Sequence, residues 1–144
     1  MRSLLTLAVF MTLALPAAAQ SVRFGDNQSE WARDGECDDR RFTGYNMATE
    51  LDQDDTLHDA ADCRKAFQQG QITLIDPAAA KAATVCTKID FGRNRGEWAN
   101  DSECDDYRFD GEGMATVIRV EEIKTDANDC RALCGAGMIY LRQP

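Results

Sequence analysis

Residues 30–44 read EWARDGECDDRRFTG, and residues 97–111 read EWANDSECDDYRFDG. The match extends outward, so that residues 24–74 align with residues 91–141 without a gap, and about half of the aligned residues are identical. Ungapped identity at this density does not arise by chance, and internal self-similarity at a fixed spacing indicates a repeated unit. We therefore interpret the chain as two tandem copies, copy one (residues 24–74) and copy two (residues 91–141).

The N-terminus has the features of an export signal. Arg2 supplies a positive charge, Leu4 to Leu15 form a short apolar run, and Ala17 to Ala19 form a small-residue cleavage site. The apolar run is too short to span a bilayer, and no second run follows it. We expect a signal peptide at residues 1–19 and a periplasmic or secreted protein.

The rest of the chain divides at a small-residue stretch. Asp76-Pro77 ends the preceding element, and alanines surround Lys81. This stretch could be a short helical spacer or a loose tether. We predict repeat module 1 at residues 20–75, a linker at residues 76–87 and repeat module 2 at residues 88–144.

The chain of 144 residues has a formal net charge of −9. Nucleic acids and anionic membrane surfaces attract basic patches, so this charge argues against both as partners. The length suits one or two small domains rather than a large enzyme. We expect the partner to be an unidentified protein in the cell envelope or outside the cell, with no membrane insertion.

Six cysteines in an exported chain indicate a disulfide framework. Zinc is the weaker interpretation, because the chain has no C-x-x-C motif and one histidine. The repeat narrows the pairing, since one cysteine pair recurs in both copies and two cysteines have no counterpart. We predict Cys37–Cys63, Cys104–Cys130 and Cys86–Cys134, and the rival arrangement is Cys37–Cys130 with Cys63–Cys104.

Each copy has one predicted helix. In copy one it begins at Asp59 and ends at Gly70, and in copy two it begins at Asp126 and ends at Gly135 or Gly137. The two aspartates suit the N-cap position, a role that we favour over metal binding for them.

Short alternating segments predict strands. They open each copy at residues 22–24 and 89–91 and close it at residues 72–74 and 139–141, and we expect opening and closing strands to pair. Residues 117–120 predict an extra strand in copy two, with a much weaker counterpart in copy one. The fold class is α+β: two tandem small disulfide-stapled modules, each with one helix, short strands and long loops.

Carboxylates surround the paired cysteines of each copy. A disulfide holds its two Cα atoms roughly 4.4–6.8 Å apart, so the flanking carboxylates would crowd into one small region. Crowding raises carboxyl pKa values unless a cation is present. The carboxylates concerned are Asp34, Glu36, Asp38, Asp39 and Asp62 in copy one, and Asp101, Glu103, Asp105, Asp106 and Asp129 in copy two.

Two kinds of cation could compensate this charge. Calcium binds roughly six to eight oxygen ligands in irregular loops, which makes it the cofactor that we consider for these residues. The alternative is that arginines form ion pairs with the acids, namely Arg41 and Arg64 in copy one and Arg108 and Arg131 in copy two.

The repeated aromatic residues have two interpretations. Trp31 and Trp98, with Phe42 and Phe109, could form a sugar-stacking or partner-binding face. In a unit this small we favour a place in the core for all four.

Catalysis has little support in the sequence. His58 corresponds to Thr125, so the repeated unit contains no histidine for a nucleophilic device. We therefore do not expect an enzyme, and keep a carboxylate-based hydrolase as a minor alternative.

The motif E-W-A-x-D-G/S-E-C-D-D-x-R-F, followed by D-A-x-D-C-R, resembles a short repeat of exported bacterial proteins, which implies export but no particular activity. Residues 34–38, with Asp62-Cys63, are also similar to the calcium-binding Notch-type extracellular module. That resemblance implies metal contacts from the acids that flank Cys37 and Cys63. The family has three disulfides per copy, whereas each copy here has one of its own.

These observations favour an exported, calcium-stabilised protein-binding or scaffolding module. The alternative is a metal-free structural or inhibitory interaction protein whose acidic loops are ion-paired.

Overall fold

A computed structural model describes residues 21–143, so the predicted signal peptide lies outside the described residues. The described part is a small α+β fold with three disulfides, which confirms the predicted fold class. Short 3-10 turns lie at Gln53–Asp55, Cys86–Lys88 and Val120–Glu122. The helices and strands are β1 (Phe42–Gly44), β2 (Glu50–Asp52), α1 (Ala60–Gln68), β3 (Ile72–Leu74), α2 (Pro77–Ala83), β4 (Cys104–Asp106), β5 (Phe109–Gly111), β6 (Met114–Arg119), α3 (Ala127–Gly135) and β7 (Ile139–Leu141).

The closing strand of each copy pairs with the strand at the end of the repeated motif. β3 pairs antiparallel with β1, and β7 pairs antiparallel with β5. The predicted strands at residues 22–24 and 89–91 are therefore wrong. The apolar residues of these segments serve ring packing instead: Phe24 stacks on Phe42 with ring centroids 5.6 Å apart, and the equivalent pair of copy two stacks at the same distance.

A three-stranded sheet in the order β2–β6–β4 joins the two copies. β2 and β6 pair antiparallel, with Leu51 opposite Ile118, and both side chains are fully buried. The expected strand near residues 117–120 is present as β6. Its weak counterpart at residues 50–53 also forms a strand, because pairing with β6 supplies hydrogen bonds that the local sequence pattern does not reveal.

The helices α1 and α3 lie where the sequence predicts them, and each carries a bridged cysteine. All three predicted pairings are confirmed, and the rival arrangement is wrong. Within residues 21–143, no helix is long and apolar enough to cross a membrane. The disulfides are Cys37–Cys63, Cys104–Cys130 and Cys86–Cys134, with Cα–Cα separations of 4.6, 4.7 and 5.8 Å.

The linker contains α2, so it is a helical spacer rather than a loose tether. Asp76 caps this helix, because its Oδ1 accepts hydrogen bonds from two backbone N–H groups of the first turn at 3.0 and 3.2 Å. α2 packs against β7, and the hydroxyl of Thr84 accepts a hydrogen bond from the backbone N–H of Leu141 at 3.0 Å. The linker is therefore docked on copy two.

Candidate metal centres

The disulfide of copy one brings two buried aspartates together. Asp38 follows Cys37 directly, and Asp59 precedes α1, the helix that carries Cys63. The backbone N–H of Asp38 donates to Oδ2 of Asp59 at 2.9 Å, and the two residues are 4% and 0% exposed. The Asp59 side chain makes no capping hydrogen bond to α1. Asp59 therefore stands at the predicted N-cap position of α1 but does not make the expected capping hydrogen bond.

Burial and repulsion raise the pKa of both carboxyl groups. Burial raises the pKa of Asp38 to about 7, and the negative charges of Asp34 and Asp59 add to the rise. Burial also raises the pKa of Asp59 to about 6, although the N–H of Asp38 opposes the rise. A nearby cation would lower both pKa values, so this pair favours binding a positive charge.

One oxygen of each buried aspartate is unpaired. Oδ2 of Asp38 and Oδ1 of Asp59 are shielded from solvent and have no hydrogen-bond partner within residues 21–143. Burying such an oxygen without a donor is costly, and folded proteins compensate most of these groups with a protein group, a water or an ion. The pair therefore offers two oxygens suited to a cation.

Copy two has the same geometry. The backbone N–H of Asp105 donates to Oδ2 of Asp126 at 3.2 Å, and burial raises the pKa values of the two acids to about 7 and about 6. Asp101 and Glu103 are near enough to add to the rise at Asp105. Asp126 makes no capping bond to α3. The oxygens without a hydrogen-bond partner in the described part of the chain are Oδ2 of Asp105, Oδ1 of Asp126 and Oδ2 of Asp129.

Asp39 and Asp106, which we predicted as ligands, form ion pairs instead. Nε of Arg41 donates to both carboxylate oxygens of Asp39 at 2.9 and 3.0 Å, and Nε of Arg108 does the same for Asp106 at 2.9 and 3.1 Å. The backbone N–H of Leu57 donates a further bond to Asp39 at 2.9 Å. These two aspartates are therefore compensated by protein groups, and the structure does not bring them into the metal centres.

The other two arginines of the ion-pair alternative lie over aromatic rings. The guanidinium of Arg64 lies 5.3 Å from the ring centroid of Phe24, and that of Arg131 lies 5.4 Å from the ring centroid of Phe91. This is the geometry of a cation–π contact. The predicted neutralising role of these two arginines is therefore wrong.

The remaining predicted ligands of copy one lie on and beside the loop before Cys37. Asp34 and Glu36 are exposed, and their charges raise the pKa of Asp38. Oδ2 of Asp62 accepts a hydrogen bond from the backbone N–H of Gly35 at 3.0 Å. This bond ties the loop to α1 and holds it beside the buried pair.

Two further acids of the centres were not predicted from the sequence. Asp55 is 9% exposed, and its charge raises the pKa of Asp38. The equivalent Glu122 raises the pKa of Asp105. Both copies have an acid at this position, but one is an aspartate and the other a glutamate, so a comparison that counts only identical residues does not find them.

The copy-one centre opens into an acidic cleft of about 360 Å³. Trp31 forms part of its wall and is 53% exposed, and the equivalent Trp98 is 50% exposed. The core role expected for both tryptophans is therefore wrong, whereas Phe42 and Phe109 are fully buried as expected. Besides Asp34, Glu36 and Asp38, the acids that line the cleft are Glu30, Glu50, Asp52 and Asp55.

The donors of these centres are oxygens. In copy one, sulfur atoms of Cys37 and Cys63 lie within 4.8 Å of an Asp59 carboxylate oxygen. They form a disulfide, so neither can act as a thiolate ligand. Carboxylate oxygens without thiolate or imidazole favour hard cations such as calcium over zinc.

Comparison with family models, curated proteins and solved structures finds no match for this chain. The resemblance to the Notch-type module therefore stays a prediction.

Proposed function

We propose that the chain is an exported, calcium-stabilised binding module with one calcium site in each copy. The observation that carries the proposal is the buried aspartate pair: Asp38 with Asp59, and Asp105 with Asp126. Each pair has raised pKa values and two oxygens without a donor. A divalent cation at either pair would supply the missing partner and remove the repulsion between the carboxylates.

Several features favour calcium among the hard cations. Calcium accepts irregular coordination from carboxylates and carbonyls, whereas magnesium demands near-ideal octahedral geometry and keeps several waters. The acids come from an irregular loop, from the start of a helix and from a 3-10 turn, which do not impose such symmetry. Among the residues that the structure describes, no three carboxylates have oxygens within 4.8 Å of one another, so water and backbone carbonyls would complete the coordination.

A thermal melt tests the proposal. Excess calcium should raise the unfolding midpoint relative to chelator, because a ligand that binds only the folded state stabilises it. Asp59→Asn should lower this shift and at the same time raise the midpoint in chelator, because a neutral amide removes charge repulsion. Asp126→Asn should do the same.

Glu112→Gln is the matched control for these variants. It removes one exposed carboxylate in the turn between β5 and β6, outside both centres, and should leave the calcium shift intact. An unchanged midpoint of the unmodified chain in saturating calcium would contradict the proposal.

The second candidate is a metal-free structural or inhibitory interaction protein. The ion pairs of Arg41 with Asp39 and of Arg108 with Asp106 favour it. Under this alternative, Asp38 and Asp105, with pKa values of about 7, are partly protonated at neutral pH, and calcium has no effect on the melt.

The proposed location is the periplasm or the cell exterior. Three disulfides with no free cysteine fit an oxidising compartment. The proposed partner is a protein, and the exposed Trp31 beside the copy-one acidic centre supports a binding role, since tryptophan is enriched at interface hot spots.

A further inference from the structure

Trp31 stands between two acidic hollows on the surface of copy one. The first is the cleft above the metal centre. The second, of about 410 Å³, also borders Trp31 and contains Asp52, Asp54 and Asp55. The turn at residues 29–34 holds the backbone of Trp31. Its backbone N–H donates to Oγ of Ser29 at 3.0 Å, and its backbone carbonyl accepts from the backbone N–H of Asp34 at 3.1 Å.

The acids around Trp31 are largely unpaired with cations. Among the residues that the structure describes, one ion pair reaches the cleft, between Arg119 and Glu50 at 2.7 Å. The remaining acids keep a dense negative field beside an exposed indole face. An aromatic face next to carboxylates attracts lysine and arginine side chains, through cation–π contact and charge complementarity together.

Copy two is a poorer host for a cationic side chain. Its residues at the positions of Glu50 and Asp52 are Val117 and Arg119, so copy two lacks both of these acids. Trp98 is nevertheless as exposed as Trp31. The two copies thus expose the same aromatic residue, but with different charged residues at these two positions.

We propose that Trp31 and the acidic rim of copy one dock a lysine- and arginine-rich segment of a partner protein. The inference rests on the proposed function, in which calcium occupies the buried pair of Asp38 and Asp59. The outer acids Glu30, Asp52 and Asp54 then remain for the partner. A basic side chain lies against the indole, with neighbouring basic residues in the two hollows.

The experiment uses the full exported chain in excess calcium and a blocked hexapeptide of alternating lysine and arginine as the probe. Trp31→Ala should weaken peptide affinity about three- to fivefold, as expected for loss of a cation–π contact. Trp98→Ala, the matched control, should leave the affinity unchanged. Because the chain has two tryptophans, each variant also isolates the fluorescence of the other ring. Peptide should therefore shift the emission of the Trp98→Ala variant and not that of the Trp31→Ala variant.

Equal affinity of the two variants, or an emission change that follows Trp98, would overturn the docking site. Free arginine that binds as tightly as the peptide would also overturn it, because the occupant would then be a small cationic ligand rather than a protein segment. Calcium melts of the same variants separate this inference from the proposed function. A calcium shift without Trp31-dependent peptide binding rejects the docking site alone, and peptide binding without a calcium shift rejects the calcium sites alone.

Discussion

The two copies share their buried acidic centres and differ around them. In both, the disulfide sets one aspartate of the loop against one that precedes the helix, with the same unpaired oxygens. The packing nearby is not shared. Phe67 of copy one packs edge-on against Phe24 and Phe42, at 5.7 and 6.1 Å between centroids, whereas its equivalent Cys134 forms the bridge to Cys86. The two copies therefore differ in their packing but have the same buried acids, as expected if these acids have the same role in both copies.

The junction between the copies shows the same contrast. Leu51 pairs with Ile118, its own equivalent, so the copies face each other as in a twofold dimer. Arg40 donates to the carbonyl of Ala115 at 3.3 Å, and its equivalent Tyr107 donates to the carbonyl of Ala48 at 2.6 Å. Equivalent positions thus reach equivalent carbonyls with different side chains. In one chain the two sides of such an interface are free to diverge.

The largest expected effect is the loss of a disulfide inside one copy. Replacing Cys104 and Cys130 by alanine should cost about 3 kcal/mol of unfolding free energy, because the open loop gains entropy in the unfolded state. It should also abolish calcium binding in copy two. Replacing Cys86 and Cys134 should cost a similar amount and leave both calcium sites, as measured by denaturant unfolding and calcium titration. Loss of a calcium site in this second variant would contradict the assignment.

The next largest effect is expected from truncating the buried side chains where the two copies meet. Leu51→Ala and Ile118→Ala each remove a fully buried side chain and should each cost about 2–4 kcal/mol. Chemical denaturation should show one cooperative transition for both variants, because these residues join the copies into one unit. Separate unfolding of the two copies in either variant would show that the junction is weaker than the geometry implies.

The pH dependence of the unfolding midpoint should differ between chelator and calcium. In chelator, the pKa values of Asp38 and Asp105 are about 7 in the folded state and about 4 in the unfolded state. The folded state binds more protons between these values, so the unfolding midpoint should fall as the pH rises from about 4 to about 7. Calcium competes with those protons, so its stabilisation should grow over the same interval. A chelator melt that stays flat or rises with pH would contradict the buried charges.

The smallest effect concerns the ion pair between Arg119 and Glu50. Both side chains are partly exposed, so Arg119→Ala should cost below about 1 kcal/mol of stability. It should nevertheless tighten binding of the basic hexapeptide, because Glu50 then adds its charge to the cleft. Val117→Ala serves as the control on the same strand. Weaker peptide binding in the Arg119 variant would contradict the electrostatic comparison of the copies.

The sequence predicts the features that recur in both copies, but it does not show which way individual side chains point. The three disulfides follow from which cysteines recur. The roles of Asp38 and Asp39 do not, because the acids are adjacent and side chains of an extended segment alternate between opposite faces. One of them therefore meets Asp59 and the other meets Arg41, a division that composition and spacing leave open.

The position of the tryptophans could not be predicted either. Apolar character and proximity to a cysteine favour burial of Trp31, but phenylalanine, methionine, alanine, cysteine and aliphatic side chains already fill the small core. The ring is left on the surface beside the acids. Similarly, Glu50 to Asp52 form a strand because β6 pairs with them, and this long-range cause has no local pattern.

The most direct test of the central claim is the calcium stoichiometry of the intact chain, measured by isothermal titration calorimetry at neutral pH. The buried aspartate pairs predict two calcium ions per chain, one ion in either Asp59→Asn or Asp126→Asn, and none in the double variant. Absence of binding to the unmodified chain, or two ions retained by the double variant, would contradict it.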